Sequence, residues 1–212
     1  MSPPHLGHLS VLEGARTCLQ GKGLRVVGGF LSPTHDAYVK DKLNRAGYSH
    51  IPDTHRCAMV REMTATSPWL CEGLAETLAS DFVDYPQVCA EAVGIIRAFV
   101  AQDVELAPFA ERIDVWYACG ADHADRCHIW QAPPFRYTGT VVVGRPGTKG
   151  QATEVDNRHY HYVSVPEDTV DISSTAIREL MLENKPVDKL VGPRVNNYMQ
   201  KNNIRVVYKF AK

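Results

Sequence analysis

Segments of helical period alternate with short β-rich segments along the whole chain, and this alternation limits the fold more than any other feature. Leu9, Val11, Leu12, Ala15 and Leu19 mark a first amphipathic helix. A strand is expected over residues 24–31, a helix over 54–63 with Pro52 and Asp53 at its start, and a strand over 69–71. Val88, Ala92, Ile95, Ile96, Phe99 and Val100 recur at i, i+4, i+7 and i+8, a stripe assigned to the core. Further strands are expected over 113–118, 140–143 and 160–165, with a mobile, Gly-rich loop over 144–158. Pro193 opens a last helix containing Val195, Tyr198 and Met199. The pattern predicts an α/β fold, a doubly wound parallel sheet with helices on both faces. No repeat or linker divides the chain, so a single domain over residues 1–212 is expected.

Composition narrows the function classes. With 44% hydrophobic and 22% charged residues, the chain has enough apolar side chains for a substantial core. A net charge of -1, without any run of Lys or Arg, argues against a nucleic-acid partner. No stretch approaches the ~20 apolar residues of a membrane span, and no signal-peptide core opens the chain. An intracellular protein of nucleus or cytoplasm is expected. Cys18, Cys57, Cys89 and Cys119 lie in apolar segments and read as small core residues of a reducing compartment, and Cys71 lies in a strand. His123, Cys127 and His128 lack a second ligand pair, so no protein-held metal is expected. His159 and His161 alternate with Tyr160 and Tyr162 and are placed on the solvent side of a strand.

The chemistry concentrates at two places. In Ile172-Ser173-Ser174-Thr175-Ala176-Ile177-Arg178 a polar loop becomes a helix, and helical spacing puts Ser174 and Arg178 on one face. The unpaired N–H groups of that first turn, the helix dipole and a guanidinium together favour a phosphate. A Ser N-cap followed by a surface Arg is the ordinary alternative. Near the other end, Ser2-Pro3-Pro4-His5-Leu6-Gly7-His8-Leu9 puts two imidazoles at the mouth of the first helix, with Gly7 allowing a ligand close to the backbone. Beside an anion such imidazoles protonate more readily, which suits charge stabilisation in phosphoryl or nucleotidyl transfer.

The two motifs, in this order, resemble those of nucleotidyltransferases carrying H-x-G-H after the first strand and I-S-S-T-x-I-R before a late helix. Ser32-Pro33-Thr34-His35-Asp36-Ala37-Tyr38-Val39-Lys40, Cys119-Gly120-Ala121-Asp122 and Val143-Gly144-Arg145 narrow the resemblance to the eukaryotic-type nicotinamide/nicotinate mononucleotide adenylyltransferases. It covers nearly the whole chain. In that family a central first strand ends in a Gly-Ser/Thr-Phe turn just before the His motif, and Met1 falls where the Phe would be. The chain is therefore expected to lack that strand or to begin upstream, with lower stability and activity if the strand is absent.

The resemblance implies a Rossmann-like fold and ATP and a pyridine mononucleotide as partners, with Mg²⁺ accompanying the ATP and a homo-oligomer as a possible assembly. His5, His8, Ser173, Ser174, Thr175 and Arg178 would hold the ATP phosphates, with His8, His5 and Arg178 stabilising charge during transfer. Gly120 and Asp122 would complete the ATP side, with Asp122 at the adenosine or, alternatively, at the nicotinamide side. Lys40, Phe82, Trp130 and Arg145 would serve the mononucleotide, Lys40 at its phosphate and the two aromatic rings around nicotinamide. Phe82 replaces the usual Trp, and Val170 stands where Asn is common. A pantetheine-phosphate or choline-phosphate nucleotidyltransferase shares both phosphate motifs; the Ser-Pro-x-x-Asp-Ala-Tyr-x-Lys segment favours the mononucleotide enzyme. A shortened, catalytically impaired nucleotide-binding variant is the other alternative.

Overall fold

The computed structural model describes residues 1–131, 139–146, 157–166 and 171–208. Val170 and most of the loop expected over 144–158 lie outside them. The chain divides into two compact units, one of Met1–Ser10, Val26–Val83 and Asp171–Lys212, the other of Val11–Arg25 and Asp84–Val170. Helix α1 (Leu6–Gly21) begins in the first and continues in the second.

In the first unit, β1 (Gly29–Leu31) pairs in parallel with β2 (Leu70–Glu72), Gly29 opposite Leu70 and Leu31 opposite Glu72. The connection carries α2 (Asp36–Arg45) and α3 (Asp53–Thr64). β1 is shorter than expected: Leu24 and Val27 are exposed, and residues 24–28 form no strand. Their β-prone side chains find no half-buried sheet surface to fit. In α3, Arg56, Met59, Val60 and Met63 are buried, an i, i+3, i+4, i+7 face that packs on β2 and on α9 (Pro193–Lys201). Val195 and Met199 supply the facing side chains of α9. The short helix α4 (Ala75–Leu78) follows β2, and α7 (Ser174–Leu182) and α8 (Asp188–Val191) precede α9. The segment after β1, without an expected element, contains α2, which starts where the His35 side chain accepts from the Ala37 N–H.

In the second unit, β3 (Trp116–Gly120), β4 (Gly139–Val143) and β5 (Tyr160–Val163) form a parallel sheet in that order. All five residues of the central strand β4 are buried, as a strand covered on both faces requires. Cys119, Ala121, Ala124, Ile129, Val142 and Tyr160 form the core, with α6 (Ala121–Cys127) leading directly out of β3. The α/β class and the parallel pairing match the sequence pattern.

Three sequence expectations are corrected here. The stripe on α5 (Tyr85–Val100) is not core: Cys89 is its one buried residue, while Ile95 and Phe99 are 62% and 73% exposed. Periodicity measures an apolar face, not whether another element covers it. His161 is buried and stacks on Trp116 at 5.2 Å and 14°, since β5 is covered on both faces at its start, and His159 lies in the preceding turn. Of the cysteines expected in the core, Cys89 and Cys119 are buried and Cys18 and Cys57 only partly so.

Candidate active site

The H-x-G-H and I-S-S-T-x-I-R motifs, some 170 positions apart, are hydrogen-bonded to each other within the first unit. Ser173 caps α7, its Oγ accepting from the Ala176 N–H at 3.1 Å. Ser174 Oγ donates to the Pro3 carbonyl at 2.9 Å, and Arg178 Nη1 donates to the Ser2 carbonyl at 2.7 Å. Ser174 and Arg178 thus share a face, as helical spacing predicted. Arg178 is 6% exposed and donates a second bond from Nη2 to Thr175 Oγ1 at 2.9 Å. Its Nε and the Ser2 Oγ are buried without a hydrogen-bond partner among the described residues. The guanidinium lies 4.9 Å from the Tyr48 ring centre, a cation–π placement. Burial pulls its pKa below the ordinary arginine value.

His5 is buried and His8 half-buried, with ring centres 3.7 Å apart at 37°. The His5 N–H donates to His8 Nδ1 at 3.1 Å. The same Nδ1 lies 3.2 Å from the His5 carbonyl, so it accepts from the N–H in one tautomer and donates to the carbonyl in the other. Gly7 was expected to open space for a ligand. Instead, a Cβ there would stand 2.9 Å from His5 Nδ1 and 3.3 Å from the Ile172 carbonyl. The glycine admits the protein's own imidazole and the entry to α7.

Lys40 is exposed on α2, one turn beyond Asp36. Phe82 stacks on Tyr38, centres 4.9 Å apart at 18°, and both rings are partly exposed. Residues missed from sequence hold the segment leading to α2. Arg56, fully buried, donates to the carbonyls of Ile51 (3.0 Å) and Thr34 (2.7 Å) and to Asp36 Oδ1 (3.0 Å). Glu76 accepts from the His35 N–H at 3.3 Å and the Ser32 hydroxyl at 3.4 Å, and Thr77 donates to the Pro33 carbonyl at 2.7 Å. Burial raises the Glu76 pKa above the usual carboxylate range. The signal for Arg56 was present: it sits in register with Met59, Val60 and Met63, on the apolar face of its own helix.

The remaining expected residues lie in the second unit. Gly120 ends β3 and caps α6, whose first turn contains Asp122. Asp122 Oδ2 and Arg145 Nη1 form an ion pair at 3.1 Å, joining a residue expected on the ATP side to one expected on the mononucleotide side. A Cβ on Gly144, which precedes Arg145, would collide with the Tyr162 hydroxyl. Trp130 is half-buried against the core and meets His128 edge-on at 5.4 Å.

Among the described residues no cluster of three or more His, Cys, Asp or Glu side chains could hold a metal ion. The gathered donors around α7 are imidazole, hydroxyl and guanidinium, which suit a phosphate and include no carboxylate for a hard cation. They fit a metal brought in on the phosphates of a nucleotide. A cavity of about 670 Å³ lined by Met181, Lys185, Asn196, Met199, Arg205 and Tyr208 among others contains none of the expected site residues. No helix among the described residues is long and apolar enough to cross a membrane.

The chain is similar to several known proteins. A "Nicotinamide/nicotinic acid mononucleotide adenylyltransferase" of Arabidopsis thaliana is 25% identical over 216 residues, covering 96% of this chain and 85% of that protein. The corresponding protein 2 of Caenorhabditis elegans is 22% identical over 222 residues, covering 96% and 93%. A "Nicotinamide-nucleotide adenylyltransferase" of Drosophila melanogaster is 43% identical over 70 residues, 32% of this chain and 16% of the fly protein, so that match spans well under two thirds of its relative. The cytidylyltransferase-like family matches residues 1–180, which include both the H-x-G-H loop and the start of α7. The chain belongs to the cytidylyltransferase-like family.

Proposed function

We propose that the chain is a nucleotidyltransferase of NAD biosynthesis, transferring the adenylyl group of ATP to nicotinamide or nicotinate mononucleotide. A phosphate oxygen of the mononucleotide attacks the α-phosphorus, the bond to the β-phosphate breaks, and pyrophosphate leaves with NAD or its acid analogue as product. The observation that carries this reading is the bonding of the His-motif loop to α7, Ser174 to the Pro3 carbonyl and Arg178 to the Ser2 carbonyl. The names of the plant and worm relatives support the substrates.

The nucleophile is already an oxyanion, so no strong general base is needed and the work is positioning and charge stabilisation. In this reading the His8 ring donates to the α-phosphate as charge develops, with His5 beside it. Ser173, Ser174, Thr175 and the α7 N-terminus take the β- and γ-phosphates, with Arg178 fixing the loop and adding positive charge. Gly120 and Asp122 serve the adenosine, and Lys40, Phe82, Trp130 and Arg145 the mononucleotide. No side chain of this site is assigned to magnesium, which would come bound to the ATP phosphates and would offset their charge. The same reading treats residues 1–212 as one nucleotidyltransferase domain and places the protein in nucleus or cytoplasm, for which its six free thiols are the support. The test is production of NAD or its acid analogue, together with pyrophosphate, from ATP, magnesium and each mononucleotide. Absence of both products overturns the assignment.

A further inference from the structure

Lys40 carries the mononucleotide phosphate in the reading above, and on that basis the carboxylate one helical turn before it becomes a problem. Asp36 lies four residues before Lys40 on α2, the spacing and the order at which an acidic and a basic side chain pair best on a helix. A Lys engaged in that pair would meet an incoming phosphate already half neutralised. The pair does not form: Lys40 makes no ion pair among the described residues, and the Asp36 carboxylate is turned elsewhere. Arg56 Nη2 holds Oδ1 at 3.0 Å, and His50 Nε2 approaches Oδ2 at 3.3 Å. Arg56 is fully buried and its other nitrogens are fixed on the carbonyls of Ile51 and Thr34, so its fork cannot follow the carboxylate if it swings away.

We infer that Arg56, assisted by His50, is a positioning residue that sequesters the Asp36 carboxylate and thereby keeps Lys40 an uncommitted cation for a phosphate monoester. A fully buried guanidinium is a costly way to fasten a loop, since an apolar side chain could fill the same volume. Holding a carboxylate away from a functional lysine is a task that needs the charge.

The experiment is titration calorimetry of nicotinamide mononucleotide and of ATP against the full chain and its variants. Arg56→Gln should weaken the mononucleotide about fivefold, the scale of one exposed ion pair, and change ATP by less than about twofold. Asp36→Asn alone should leave both affinities unchanged, because its carboxylate is already sequestered. The double variant Arg56→Gln/Asp36→Asn should recover mononucleotide affinity to within about twofold of the starting protein, since an amide cannot neutralise Lys40. A merely structural Arg56 would show no such rescue, and that result overturns the proposal. His50→Ala, at a half-buried position, should shift the mononucleotide in the same direction by a smaller factor and gives the same comparison if Arg56→Gln does not fold. Lys40→Ala separates the two levels: if it leaves mononucleotide binding unchanged, the assignment of Lys40 falls and this proposal with it. If it weakens binding while the rescue fails, only the proposal falls.

Discussion

Ser174 donates a hydrogen bond to the carbonyl of Pro3, so the first residue of α7 fastens a loop 171 positions earlier in the chain. The same hydroxyl was expected to hold a phosphate. A serine hydroxyl has one donor and two acceptor positions, so its donor is committed here to the backbone, and the adjoining N–H groups of the helix are what a phosphate would draw on. The contact therefore ties the folding of the loop to the shape of the proposed ATP site.

Ser174→Ala should lower unfolding free energy by about 1 to 3 kcal/mol, because it strips the partner from a partly buried carbonyl. Urea denaturation measures the loss, and the same variant should raise the KM for ATP. Unchanged stability would show that the Pro3 carbonyl finds water at no cost.

His8→Ala should reduce kcat and kcat/KM together by roughly 10²-fold, the scale of removing one preorganised donor to developing charge. Steady-state kinetics with ATP and the mononucleotide provides the check. A normal kcat with a raised KM would place His8 in ground-state binding instead.

Lys40→Ala should raise the KM for the mononucleotide about tenfold or more, as expected for a charge-assisted contact made before and during transfer, with kcat little changed. A selective effect on ATP would move Lys40 to the other substrate.

Glu76 makes stability depend on pH. Burial raises its pKa in the fold, so the fold favours the protonated acid. Its contribution is therefore complete below the unfolded value of ~4.3 and is lost as pH rises through the higher folded value. The Tm difference between the starting protein and Glu76→Gln, measured from pH 4 to pH 7, should shift toward the variant as pH rises. A pH-independent difference would show that the His35 N–H and Ser32 hydroxyl fully compensate the buried charge.

What the sequence determined is local or periodic. The α/β alternation, α1, α3 and α9, the β4 run of valines and the Ser173 cap follow from spacings of a few residues, because helices and strands impose periods of 3.6 and 2 on apolar side chains. The H-x-G-H and I-S-S-T-x-I-R motifs were also legible, since their residue types and their order carry the family resemblance. Tertiary structure alone decided which polar groups meet. That Arg178 clasps the Ser2 carbonyl, that Arg56 rather than Lys40 holds Asp36, and that Asp122 pairs with Arg145 depend on segments up to 176 residues apart. Burial was equally non-local: the α5 stripe has the period of a core helix, yet Phe99 stays exposed, while His161, placed on the solvent side by its alternation with Tyr160 and Tyr162, is buried against Trp116. A side chain's chemistry is written in its own residue, but its partner and its covering are supplied by segments that only folding brings together.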